Sequence, residues 1–161
     1  MEATREHILL PNHHPLLDAE INYRKVKPTK RNQERILFII DHDETRLRIN
    51  TLLWECGYAV TTAKSLTDGL HLAQIERFAC YIVDQRLPDG RGVEGCQKLR
   101  EFDQRTPILL CSSVACEAAR QQALAAGAQS YLYTLSSLEE LKQVLAQLFD
   151  EEESLILKKS A

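Results

Sequence analysis

Apolar residues in this chain come in two alternating forms, short continuous runs and longer stretches with a period near 3.6. Residues 36–40, Ile-Leu-Phe-Ile-Ile, form an unbroken run, as a strand buried on both faces requires. Ile49, Leu52, Leu53 and Cys56 then fall at i, i+3, i+4 and i+7, which predicts a helix stopped by Gly57. Residues 58–62 predict a second strand, shorter and more polar, suited to a sheet edge. Ser65 with Asp68 resembles a capping box opening a second helix, whose buried face uses Leu66, Leu70 and Ala73. A third strand over 78–83 precedes a third helix presenting Val93, Cys96 and Leu99. Pro107 marks the entry to a fourth strand over 108–111, and an Ala-rich helix over 115–126 stops at Gly127. Residues 130–133 make the fifth strand. Ser137 and Glu140 open a last helix with Leu138, Leu141, Leu145 and Leu148 on one face.

Five strands alternating with five helices predict the α/β class. Parallel neighbours need crossovers, and right-handed crossovers cover both faces of the sheet with helices. The expected architecture is a single flavodoxin-like (βα)5 doubly wound parallel sheet with strand order 2-1-3-4-5. Residues 1–34, with Pro11, Pro15, Pro28 and no sustained period, predict an irregular N-terminal extension. Residues 35–149 form the domain, and 150–161 form a charged C-terminal tail in which no further domain fits. Arg24, Lys25, Lys27, Lys30, Arg31 and Arg35 make the end of the extension basic and read as a solvated linker. His13 and His14 are adjacent, and neighbouring side chains of an extended chain diverge too far to share a metal.

Charge and cysteine usage narrow the function classes. The 161 residues carry 20 Lys and Arg against 23 Asp and Glu, a net charge of -3, which argues against nucleic-acid binding through bulk positive charge. No apolar run approaches the ~20 residues of a membrane span. Glu2 and Glu6 sit where a signal peptide carries its basic segment. The expectation is a cytoplasmic protein without membrane or nucleic-acid partners. The cysteines, at 56, 80, 96, 111 and 116, are odd in number and form no C-x-x-C, so they read as small buried apolar residues in a reducing compartment.

Chemistry gathers where the strands end. Asp41, His42 and Asp43 follow the first strand, Asp84 the third, Ser112 and Ser113 the fourth, and Thr134 the fifth. In the expected order the first and third strands are neighbours, and the crevice at their carboxyl ends is where such sheets bind ligands. Asp84 is followed at once by a Pro and Gly-rich turn, Leu87-Pro88-Asp89-Gly90-Arg91-Gly92. Asp41 also stands where a residue capping the first helix belongs.

On these residues, 35–149 resemble the receiver domain of two-component response regulators, of the chemotaxis-regulator type. That family places an acidic pair after strand 1, a phosphate-accepting Asp at the end of strand 3, a Thr or Ser after strand 4, and Lys-Pro after strand 5. Ala126-Gly127-Ala128 before the fifth strand is also similar. The resemblance implies Asp84 as phosphoacceptor, Ser112 as switch hydroxyl, Tyr131 as switch aromatic and Thr134 in place of the usual Lys. It implies Mg²⁺ held by Asp41, Asp84, the backbone carbonyl of Arg86, and His42 or Asp43. In such chemistry a carboxylate attacks the phosphoryl group of a phosphohistidine or small donor, and a metal, a hydroxyl and an ammonium offset the transition-state charge. The sequence departs from the family at His42, in place of the second acid, and at Thr134-Leu135, in place of Lys-Pro. Imidazole is a poor Mg²⁺ ligand, which shifts the expectation towards Mn²⁺ or Zn²⁺, or no metal. The implied partners are a histidine kinase or phosphotransfer protein, a downstream protein, and a second copy of the chain through helix 4, strand 5 and helix 5.

The functional expectation is a stand-alone, non-enzymatic receiver protein in phosphorelay signalling. One alternative is a pseudo-receiver that binds partners without phosphorylation. Another is a haloacid dehalogenase-type phosphatase, whose motif Asp41-x-Asp43-x-Thr45 resembles, with Asp41 as nucleophile and Asp43 as acid/base. The Lys and later acidic pair that such enzymes need do not follow. A flavodoxin proper would cradle a phosphate after the first strand, where Asp41-His42-Asp43 would repel it.

Overall fold

Every predicted strand lies in one parallel sheet. A computed structural model describes residues 34–133 and 138–160. The elements are β1 (Arg35–Ile39), α1 (Asp43–Glu55), β2 (Ala59–Ala63), α2 (Leu66–Ile75), β3 (Cys80–Asp84), α3 (Gly92–Phe102), β4 (Ile108–Ser112), α4 (Glu117–Ala125), β5 (Ser130–Tyr133) and α5 (Leu138–Ser160). A miniature antiparallel ladder, Arg86–Leu87 against Gly90–Arg91, closes the turn after β3. The sheet order is β2-β1-β3-β4-β5, as the sequence predicts, with the polar β2 on an edge.

Because β1, β3 and β4 are covered on both sides, their alternate residues feed two cores. Ile36, Phe38, Cys80, Ile82, Leu109 and Cys111 face one way and meet Ile49 and Leu53 of α1 and Leu141, Leu145 and Leu148 of α5. Leu37, Ile39, Tyr81, Val83, Ile108 and Leu110 face the other and meet Ala73 of α2, Cys96 and Leu99 of α3, and Ala123 of α4. The predicted faces of α1 and α3 are therefore the observed ones, as is that of α5 over Leu141, Leu145 and Leu148, although Leu52 and Cys56 sit at the border of the core. Gly57 and Gly127 end their helices at φ +89° and +100°, a left-handed conformation that glycine adopts without a side-chain clash.

Several boundaries differ for physical reasons. β3 begins at Cys80, and Phe78 instead packs its ring against Tyr81, with 6.1 Å between centroids. Arg35, grouped by sequence with the basic extension, opens β1, pairs with Glu76 and lies 5.0 Å over the Phe78 ring. It is a residue of the domain, held by a carboxylate and an aromatic face. α5 continues to Ser160, so the charged tail prolongs a helix. All five cysteines are free; Cys80, Cys96 and Cys111 are buried as expected, whereas Cys116 is exposed before α4. Residues 1–33 and 134–137 lie outside the described residues, and with them the irregular extension, Thr134 and the Ser137 cap. Among the described residues no helix is long and apolar enough to cross a membrane.

Candidate functional site

The register carries the third strand's carboxylate to the rim. Val83 lies opposite Ile39 on one side and Leu110 on the other, and Asp84, opposite Cys111, is the first polar side chain of β3. Asp84 is half-buried in a cavity of about 200 Å³ at the carboxyl ends of the strands, lined also by His42, Arg48, Arg86, Ser112 and Ser113. Burial pushes its carboxyl above the ordinary value, against the opposing pull of the Arg86 amide and charge, the Gln85 amide and His42. The Arg86 amide donates to Asp84 Oδ1 at 3.3 Å. The guanidinium of the same residue spans the rim and donates to Ser113 Oγ at 2.9 Å.

The segments behind Asp84 are tightly fixed. A Cβ on Gly92 would stand 2.5 Å from the Asp84 carbonyl oxygen and 2.5 Å from Leu110 Cδ1, so only glycine lets α3 start this close to β3. Gln85 Oε1 accepts from the Val93 amide at 3.1 Å and so satisfies one donor of the α3 N-terminus. Asp89 reaches back to α2 and accepts from the Leu66 amide at 2.7 Å, the Thr67 amide at 2.8 Å and the Thr67 hydroxyl at 2.7 Å. The Thr67 hydroxyl and amide and the Leu66 amide hold its carboxyl down at about 2.

Among the described residues Ser112 is the one buried polar residue of the core. Its Oγ accepts from the Val114 amide at 3.1 Å, and the Val114 carbonyl accepts from the Tyr131 hydroxyl. Val114 thus links the hydroxyl at the end of β4 to the aromatic of β5.

Of the sequence-predicted site residues, Asp84, His42, Ser112 and the residue Arg86 meet at the cavity. Asp41 is exposed and does not line it. Asp43 points elsewhere: Lys64 at 3.0 Å and Arg46 bind it, and these two partners, Lys64 first, hold its carboxyl below the ordinary range. His42, rather than Asp41, caps α1, with Nδ1 accepting the Thr45 amide at 3.2 Å. That nitrogen is committed to the helix. The phosphatase pairing of Asp41 with Asp43 is likewise not assembled at the cavity.

The donor set does not suit a hard divalent cation. Among the described residues no three His, Cys, Asp or Glu side chains converge to hold a metal. The cavity offers one carboxylate against two guanidinium groups, whereas Mg²⁺ asks for several oxygen ligands in near-ideal geometry. Sequence reasoning missed Arg48 and the roles of Asp89 and Val114. The signal for Arg48 was present, since His42, Thr45 and Arg48 recur every three residues along one face of α1. Nothing local announces that Arg86 turns to Ser113.

A five-stranded parallel sheet with a half-buried aspartate at the carboxyl end of its central strand, a buried hydroxyl beside it and a bonded aromatic on the edge strand defines a receiver-type domain. The model of the response regulator receiver domain matches residues 36–146, and the chain belongs to that family. Photosynthetic apparatus regulatory protein RegA of Cereibacter sphaeroides is 30% identical over 113 residues, covering 70% of this chain and 61% of that protein. Transcriptional regulatory protein TctD of Salmonella typhimurium is 33% identical over 117 residues, covering 71% of this chain and 51% of its own length. The chain thus aligns with about half to three-fifths of these curated relatives. Among solved structures, a CheY-like receiver domain from Methanospirillum hungatei is similar with a TM-score of 0.71 and 25% identity, over 75% of this chain and 97% of that one. The receiver domain of a Pseudomonas aeruginosa sensor histidine kinase, with a magnesium ion in its active-site cleft, is similar with a TM-score of 0.66 and 26% identity, over 71% and 96%.

Proposed function

We propose that this protein accepts a phosphoryl group on Asp84 in cytoplasmic two-component signalling, and passes the change to a protein partner through Ser112, Val114 and Tyr131. The observation that carries this reading is the placement of the Asp84 carboxylate between Arg86 and Ser112 at the switch point of the sheet. An Asp84 oxygen attacks phosphorus and the bond to the donor's leaving atom breaks: a histidine nitrogen departs with the electron pair when a phosphohistidine is the donor, and acetate does so when acetyl phosphate is. The guanidinium of Arg86 faces the charge that builds on the phosphoryl oxygens. With its lone pair engaged by the Val114 amide, Ser112 has its O–H free to donate to the group. A turn of Ser112 towards that group loosens Val114, whose carbonyl holds Tyr131. Val114 and Tyr133, 54% and 47% exposed, offer apolar surface through which a downstream partner, or a second copy through α4, β5 and α5, would read the change.

The donors expected are a histidine kinase or phosphotransfer protein. Intact mass after treatment with acetyl phosphate, in EDTA and with Mg²⁺ or Mn²⁺, tests the reading. One phosphoryl adduct is expected in the native protein and none in Asp84→Asn; absence of any adduct under all conditions would overturn it. The incomplete ligand set for a metal supports the second reading, a pseudo-receiver that binds its partner without phosphate, and that last result would favour it.

A further inference from the structure

The cleft over Asp84 differs from a cation site in a definite direction. Two of the carboxylates that a divalent ion would need are withdrawn: Asp41 does not line the cleft, and Asp43 is bound by Lys64 and Arg46. In their place the cleft is lined by Arg48 and Arg86 and by Ser112 and Ser113, residues that carry donor groups, against the single carboxylate residue Asp84. Its cavity of about 200 Å³ has room for a tetrahedral oxyanion together with a few waters. Arg86 Nη2 already crosses the mouth to Ser113 Oγ at 2.9 Å, which fixes a planar fork beside the opening. Guanidinium forks match the edges of phosphate groups, which an ammonium or a metal with an incomplete shell does not.

From this donor arrangement we infer that the cleft is a metal-independent oxyanion site, in which Arg86 and Arg48, with Ser112 and Ser113, hold a free phosphate-class dianion directly above Asp84. The inference rests on the acceptor reading of the same cleft and adds how the incoming group is held. Arginine takes over the charge neutralisation that the family relatives assign to a cation.

The test is thermal stability of the full chain in inorganic phosphate at constant ionic strength and 1 mM EDTA, against chloride as control, for the native protein, Arg86→Ala, Arg86→Lys and Asp84→Asn. Phosphate is expected to raise the melting temperature in EDTA, with no further gain on adding Mg²⁺. Arg86→Ala should weaken the apparent affinity about 10- to 100-fold, as loss of a charge-assisted contact does, and Arg86→Lys should restore part of it. Asp84→Asn should bind phosphate more tightly, since it removes a like charge. A response that requires Mg²⁺, or one equal in the native protein and Arg86→Ala with both folded by circular dichroism, overturns the inference. A phosphate response in EDTA without any Asp84 adduct from acetyl phosphate upholds the oxyanion site and removes the acceptor reading; an adduct formed only with Mg²⁺, and no response in EDTA, does the reverse.

Discussion

Asp84 and Asp103 act on stability in opposite senses. Burial raises the folded-state value of Asp84, so its favourable contribution is complete below the unfolded value of 3.8 and is lost as pH rises through the folded value. At neutral pH the ionised carboxylate weakens the unmodified fold. Asp84→Asn is therefore expected to raise the melting temperature at pH 7, with the difference shrinking towards pH 3; a thermal scan across pH checks it. For Asp103, burial pushes the carboxyl up, but the hydroxyl and amide of Thr106, the Tyr81 hydroxyl and the Arg105 amide outweigh it and hold it at about 2. Its contribution is present above 3.8 and lost as pH falls towards about 2. Asp103→Asn should lower stability at pH 7 by about 1 kcal/mol after solvent screening, and by little near pH 2, measured by denaturant titration. Neither effect was legible from sequence, where Asp84 was readable as a rim residue and nothing set Asp103 apart. Its partners, Tyr81 and Thr106, come from β3 and from the approach to β4.

At the scale of elements, the loop after β3 is held by two contacts that act far from their own sequence. Asp89 satisfies the first amides of α2, and the missing side chain of Gly92 lets α3 touch β3. Asp89→Ala is expected to cost about 1 kcal/mol, the usual loss for a helix-capping carboxylate. Gly92→Ala forces a shift against backbone and Leu110, and about 1 to 3 kcal/mol of overpacking is expected. Urea denaturation of both variants measures these losses, and Gly92→Ala should also slow adduct formation by displacing Asp84. The Pro and Gly-rich character of this loop was visible in the chain, as was the Ser65 cap that α2 uses. That Asp89 supplies a second cap to the same helix was not, because the two lie 22 residues apart. For α1 the cap moved by one residue: His42 takes the extended backbone of a cap, and its side chain accepts from the Thr45 amide.

In the molecule as a whole, each central strand serves two cores at once. Leu109 faces α1 and α5, and Leu110 faces α2, α3 and α4. Leu109→Ala and Leu110→Ala are each expected to cost about 2 to 5 kcal/mol, and to leave one cooperative unfolding transition, because the layers share a sheet. Two separable transitions by circular dichroism and fluorescence would contradict this. The helix faces and the rim on which Asp84 and Ser112 sit follow from periodicity, whereas the sheet order is a choice among the common doubly wound arrangements. Unbroken runs such as residues 36–40 have only one low-energy setting, buried on both sides of a parallel sheet, and a polar residue ending such a run must lie at its edge. Which polar groups then turn into the cleft is a different kind of fact. Asp43 is drawn out by Lys64 from beyond β2, and Arg86 is drawn across to Ser113 from beyond β4. The amino-acid order thus settles where the carboxylate of Asp84 sits, through burial, which is local and additive. Its companions are settled only in three dimensions, because charges and hydrogen-bond donors find their partners through space.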